Sequence, residues 1–236
     1  MGHGAIGRPA IGDRALAERA EDVARLGKVV IETLQEEGIA ACGKHFPGHG
    51  DTATDSHFEL PLVEHPPDRL EAVELVPFRA AIASRVAAIM TAHILVPALD
   101  ETGPATLSSR IVDGLLKQQL GYDGLVVTDD LEMKAISARY GLGQATVGAI
   151  TAGCDAVLMC GTSQEPQVLA LESLIHAVED GSLPLPRVED ALARHRRAKE
   201  RFLGGRRPAP LSGKSLLAVL GRDEHQAVAE EMARFA

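Results

Sequence analysis

Four short, nearly pure apolar runs, each followed by polar residues and separated by stretches of helical spacing, constrain this 236-residue chain more than any other feature. They are Ile39 to Cys42, Val86 to Ala92, Leu125 to Thr128 and Asp155 to Met159, with cores such as AAIM, GLVV and AVLM. Apolar runs of this length are expected of strands covered by helices in a parallel sheet. Between them, apolar residues recur at helical spacing. The first such stretch is Ala15 to about Glu37, where Leu16, Val23, Leu26, Val30 and Leu34 share a face and Gly38 is a natural stop. Others are Leu70 to Ser84, about Ser109 to Leu120, about Gly143 to Ala152, about Pro166 to Glu179, and a basic helix from Val188 to Leu203. Pro77 is expected to kink the second, because a mid-helix proline removes a hydrogen bond. Strands alternating with helices predict βαβ units and an α/β fold. GGRRPAPLSGK then reads as a linker to a short terminal segment, dividing the chain into residues 1–203 and 204–236.

Polar residues collect behind the apolar runs. Lys44 and His45 follow the first, His93 the second, Asp129 and Asp130 the third, and Cys160 the fourth. Residues after the C-termini of parallel strands converge on one rim, where such folds carry out their chemistry. The densest group is KHFPGHGDTATDSH, with His45, His49, Asp51, Asp55 and His57. One reading is a metal-dependent hydrolase using His45, His49, Asp51 and His57, since imidazoles and carboxylates bind zinc. Against it, no helical HExxH pair is present, and Lys44 would bring a cation beside the metal. The other reading is an acid/base pair in which Asp55 fixes the tautomer of His57 and favours its protonated form. A brace for a turn is the plainer use of the same residue types.

In TDDLEM a helix cap explains one carboxylate better than two. Asp129, directly behind the apolar run, is aimed at the rim and could attack a sugar's anomeric carbon; Asp130 is the cap or brace. A lone histidine behind a strand, His93, is expected to be a hydrogen-bonded packing residue, and Met159 and Cys160 to line the core or rim without a chemical role.

A net charge of −9 argues against a nucleic-acid backbone or an anionic membrane as partner. Three cysteines, Cys42, Cys154 and Cys160, with no C-x-x-C spacing, point to no disulfide framework and no thiolate metal site. The N-terminal stretch has no apolar signal core and no later run approaches ~18 apolar residues, so the expectation is a cytoplasmic chain. No cofactor is implied.

GKHFPGHGDTATDSH, then IMTAHILVPALD with PATLS behind it, then GYDGLVVTDDLEMKAI, together resemble the family 3 glycoside hydrolases of the bacterial β-N-acetylhexosaminidase type, from Ile11 to about Gly161. The resemblance implies a (β/α)8 TIM barrel and removal of terminal β-linked N-acetylglucosamine, with retention, through a covalent glycosyl-enzyme. It implies Asp129 as nucleophile, His57 as acid/base with Asp55 as its partner, and Lys44 and His45 as sugar ligands. Arg14, in IGDRAL, matches a sugar-binding arginine of the family's IGxRSFG stretch, although RALA stands here in place of RSFG. Cell-wall muropeptides are the substrate it implies, in recycling. A histidine in place of a second carboxylate would also tolerate an anionic acceptor such as phosphate. Only about four βα units are legible, so the chain is expected to be the C-terminal portion of the barrel, its N-terminal strands missing. It would then associate with itself or with the missing half, or be an inactive fragment that binds sugar without turnover.

Overall fold

The computed structural model describes residues 15–50, 52, 60–161, 163–204 and 212–234. Arg14, Asp51, Asp55 and His57 lie outside the described residues. The chain forms two compact units, Met1–Phe202 and Leu203–Ala236. Among the described residues the second holds two helices, α8 (Gly213–Leu217) and α9 (Asp223–Ala233).

The first unit begins with α1 (Ala20–Glu36), which has Glu21 and Asp22 in its first turn, where the helix dipole favours acids. It starts five residues later than the spacing predicts. It ends as expected: Gly38 takes φ +79°, its N–H donates to the Gln35 carbonyl (3.1 Å), and Ile39 N–H donates to Leu34 (2.8 Å), closing a Schellman motif. Among the described residues four strands follow in sequence: β1 (Cys42–Phe46), β2 (Ala88–Thr91), β3 (Leu125–Asp130) and β4 (Ala156–Leu158). They form one parallel sheet in the order β1-β2-β3-β4. Cys42 pairs with Ala88, Ala88 with Leu125, and Val127 with Ala156. The α/β expectation of parallel βαβ units therefore holds.

The first strand needs correction. Its predicted span, Ile39 to Cys42, covers only its beginning, and the strand continues through Gly43, Lys44 and His45 to Phe46. The polar residues belong to the strand because backbone pairing with β2, out to the bond from Ala92 N–H to the Phe46 carbonyl (2.7 Å), continues past the apolar run. Asp129 and Asp130 likewise close β3 instead of following it.

Pro77 does lie within helical structure, which runs as α2 (Pro67–Arg69), a π-type stretch (Leu70–Glu74) and α3 (Leu75–Ala83). The wider turns, with Leu75 N–H reaching back to the Leu70 carbonyl, sit immediately before the proline whose ring disturbs the regular ladder. After β2 come a short 3₁₀ turn (Ala105–Leu107) and a π-type helix (Arg110–Gln119). The remaining helices of this unit are α4 (Lys134–Ser137), α5 (Leu142–Ala152), α6 (Glu165–Glu179) and α7 (Leu185–Leu203).

One face of the sheet is closed. Phe46, Ile89 and Val126 are inaccessible to solvent and share a core with Leu75, Phe78, Ile111, Leu116 and Ala149 of the helical layer. The Phe46 and Phe78 rings meet edge to face at 5.1 Å. Side chains of this size contribute about 1.5–3 kcal/mol each on burial, so this shared core is what binds helices to sheet. Successive strand residues point to opposite faces. The alternates Ala88, Met90, Leu125, Val127, Ala156 and Leu158 are only half-buried. No described helix is long and apolar enough to cross a membrane.

Candidate active site

The C-terminal ends of the four strands carry the polar residues that the sequence singles out. β1 brings Lys44 and His45; the residue two beyond β2 is His93; β3 ends on Asp129 and Asp130; Cys160 follows β4. Side chains of β1 and β3 meet here: His45 Nε2 stands 3.4 Å from Asp129 Oδ2, the two side chains being 10% and 20% exposed. The other carboxylate oxygen, Oδ1, accepts the N–H of Asp130 at 2.9 Å. Both oxygens of Asp129 thus have a fixed neighbour, and the group remains reachable from solvent. Lys44 is exposed on the same strand as His45.

Asp130 is the brace that its position suggests. Its Oδ1 accepts the backbone N–H groups of Glu132 (3.0 Å) and Cys160 (3.3 Å). Glu132 repeats the pattern one turn further, its Oε2 accepting Gly161 N–H at 2.7 Å. Two carboxylates therefore tie the exit of β3 to the exit of β4. Cys160 lies exposed at this rim, and partial desolvation, then the carboxylates Asp130, Asp129 and Glu132, push its thiol pKa up. No activated thiolate is built here.

His93 is fully buried and hydrogen-bonded, as expected for a packing residue, but its partners are specific. Nε2 lies 3.0 Å from the Asp130 carbonyl and Nδ1 lies 2.8 Å from Thr106 Oγ1. Burial lowers its pKa, with the neighbouring Asp130 and Asp129 only partly opposing this, so the ring is held neutral.

His49 was legible only as a possible metal ligand. It is buried, its ring lies edge to face with His45 at 5.8 Å, and its Nδ1 is 2.7 Å from Thr52 Oγ1. Among the described residues, no three His, Cys, Asp or Glu side chains gather as metal ligands. Glu132 and Thr106 escaped the sequence reading. The third carboxylate of DDLE marked the first; the second lies within PATLS, but nothing in that stretch pointed to its bond with a histidine thirteen positions away.

A cavity of about 260 Å³ opens at the opposite end of the strands, between Tyr122, Asp123, Arg194, Arg197 and Arg201. Its one carboxylate, Asp123, is already paired with Arg194 and Arg197, so it offers no nucleophile.

A parallel α/β unit whose strand ends bring together an ordered carboxylate and an imidazole belongs to the class that places its chemistry on the C-terminal rim of the sheet. The chain belongs to glycosyl hydrolase family 3: residues 4–198 match the family's N-terminal domain, described as "Glycosyl hydrolase family 3 N terminal domain". It is 43% identical over 150 residues to the β-hexosaminidase of Alkalilimnicola ehrlichii, covering 64% of this chain and 43% of that protein. It is 34% identical over 245 residues to β-hexosaminidase A of Pseudoalteromonas piscicida, covering 95% of this chain and 40% of that one. Among solved structures, a family 3 β-N-acetylglucosaminidase from Paenibacillus sp. superposes with a TM-score of 0.89 at 46% identity, covering 96% of this chain and 43% of that chain. The chain thus spans less than half the length of these relatives.

Proposed function

We propose that this chain carries the nucleophile and part of the sugar site of a retaining exo-β-N-acetylhexosaminidase. The observation that carries the reading is Asp129: an accessible carboxylate at the end of β3, with one oxygen held by Asp130 N–H and the other 3.4 Å from His45 Nε2. In the first step an oxygen of Asp129 bonds to the anomeric carbon while the bond to the aglycone oxygen breaks, and an acid gives that oxygen its proton. In the second, water attacks the same carbon, the Asp129 ester breaks, and the conjugate base takes the water's proton. The family resemblance assigns the acid/base to His57 with Asp55, and hydroxyl binding to Lys44, His45 and Arg14. N-acetylglucosaminyl linkages of muropeptides are the substrate this resemblance favours, and product analysis in phosphate buffer separates hydrolysis from transfer to phosphate. We read the four-stranded sheet as part of a (β/α)8 barrel.

The test is hydrolysis of an aryl β-N-acetylglucosaminide by the 236-residue chain and by its Asp129→Ala variant. The variant is expected to lose at least about a thousandfold in kcat with its circular dichroism unchanged. Turnover retained by a folded variant refutes the assignment.

A further inference from the structure

His93 sits between the two strands that bring His45 and Asp129 together, and has no solvent exposure. Burying an imidazole is costly unless its nitrogens are satisfied, and an apolar side chain would fill the same space without that cost. Nor is His93 needed to satisfy the Asp130 carbonyl, which already accepts Met133 N–H at 3.1 Å. What the bond from Nε2 adds is direction. The carbonyl can only accept, so Nε2 carries the ring proton and Nδ1 is left to accept from the Thr106 hydroxyl. Thr106 is itself anchored at the exit of β2, where its oxygen accepts from the Thr91 hydroxyl at 3.0 Å; with its single proton given to Nδ1, the Ala92 carbonyl at 2.9 Å is only the alternative acceptor. A rigid chain therefore runs from β2 through Thr106 and His93 to Asp130, whose own N–H donates to Asp129 Oδ1.

We propose that His93 is a positioning residue for Asp129: by gripping the Asp130 carbonyl from β2, it fixes the backbone N–H that aims the carboxylate. This rests on the glycosidase reading above, in which Asp129 is the nucleophile. A carboxylate free to turn would still sit beside bound sugar but would spend less time in line with the anomeric carbon. Positioning losses of this kind fall on kcat and spare binding.

Two substitutions in the full chain separate this from simple packing. His93→Asn keeps a polar group at the Nδ1 position, toward Thr106, and loses the bond to Asp130. His93→Gln keeps a donor at the Nε2 position. With an aryl β-N-acetylglucosaminide, His93→Asn is expected to lose about ten- to a hundredfold in kcat with KM within about twofold, and His93→Gln to recover most of it. Amide hydrogen exchange at Asp130, followed by NMR, reads the same link without turnover: at least about tenfold faster in His93→Asn, and within about twofold of the unaltered chain in His93→Gln. Equal losses in the two variants, or unchanged Asp130 exchange in His93→Asn, overturn the proposal. If the unaltered chain turns over no substrate, kcat gives no reading and the Asp130 exchange result alone decides the role of His93.

Discussion

Asp100 shows how a single carboxylate orders the loop that supplies Thr106. It is buried, and its Oδ1 accepts from Thr102 N–H (3.0 Å) and Oγ1 (2.7 Å) while Oδ2 accepts from Ser108 Oγ at 2.6 Å. Burial alone would raise its pKa, but the hydrogen bonds from Ser108 and Thr102 outweigh it and hold the pKa below the ordinary 3.8. A carboxyl group with a depressed folded pKa contributes stability that is present above its unfolded pKa and lost as pH falls through the folded value. Thermal melts should therefore hold steady down to about pH 5 and fall below about pH 4, with Asp100→Asn less stable at neutral pH and shallower in its acid dependence. Parallel acid profiles for the two proteins would refute this. Asp129 was legible because it stands directly behind an apolar run. Asp100 was not, because its partners come from the folded path of one loop and no spacing rule encodes them.

The basic helix α7 illustrates what an element does beyond its own sequence. Some of its charges do more than face solvent: Arg194 Nη1 donates to the Gly124 carbonyl (3.0 Å), Arg201 Nη1 to the Arg85 carbonyl (3.0 Å), and His195 Nε2 lies 3.2 Å from the Asp155 carbonyl. These are the entries of β3, β2 and β4, at the end of the sheet opposite Asp129. At the centre is the Asp155 carboxylate, inaccessible to solvent, which accepts from Lys117 Nζ (2.8 Å), Arg187 Nη2 and Val126 N–H (2.9 Å). Removing one partner of a buried pair strands the other charges, at a cost of about 3–5 kcal/mol. Asp155→Ala should lower the urea midpoint accordingly while leaving any turnover of the remaining folded protein intact; a loss below about 1 kcal/mol would show the network to be solvated. Helical spacing predicted α7, and its charge was visible in composition. That the charges serve the strand entries depended on where the helix docks.

For the first unit as a whole, the decisive feature is a sheet closed on one face and half-open on the other. The half-buried residues Met90, Leu125, Val127 and Leu158 occupy alternate strand positions, and apolar side chains such as Val29, Val30 and Ile39 near β1 in sequence and Val168, Leu171 and Ile175 of α6 are exposed. Apolar surface of this extent favours association. Light scattering of the 236-residue chain is expected to give a mass that rises with concentration up to about 100 μM, and Leu171→Glu is expected to weaken the rise. A constant monomeric mass over that range contradicts the expectation.

Continuous apolar runs, the helical spacing between them and the placement of polar residues behind the runs were enough, from the sequence by itself, to determine four parallel βα units and to nominate Asp129, Lys44 and His45. These are local properties, set by which side chains an element must bury. Tertiary structure alone decided that β1 runs on through His45, that His45 Nε2 meets Asp129, and that Thr106, His93 and Asp130 form one line of hydrogen bonds. Each of these joins residues from different strands or loops, and a hydrogen bond between distant positions depends on the registers and crossovers that bring them within about 3 Å, which no local pattern records.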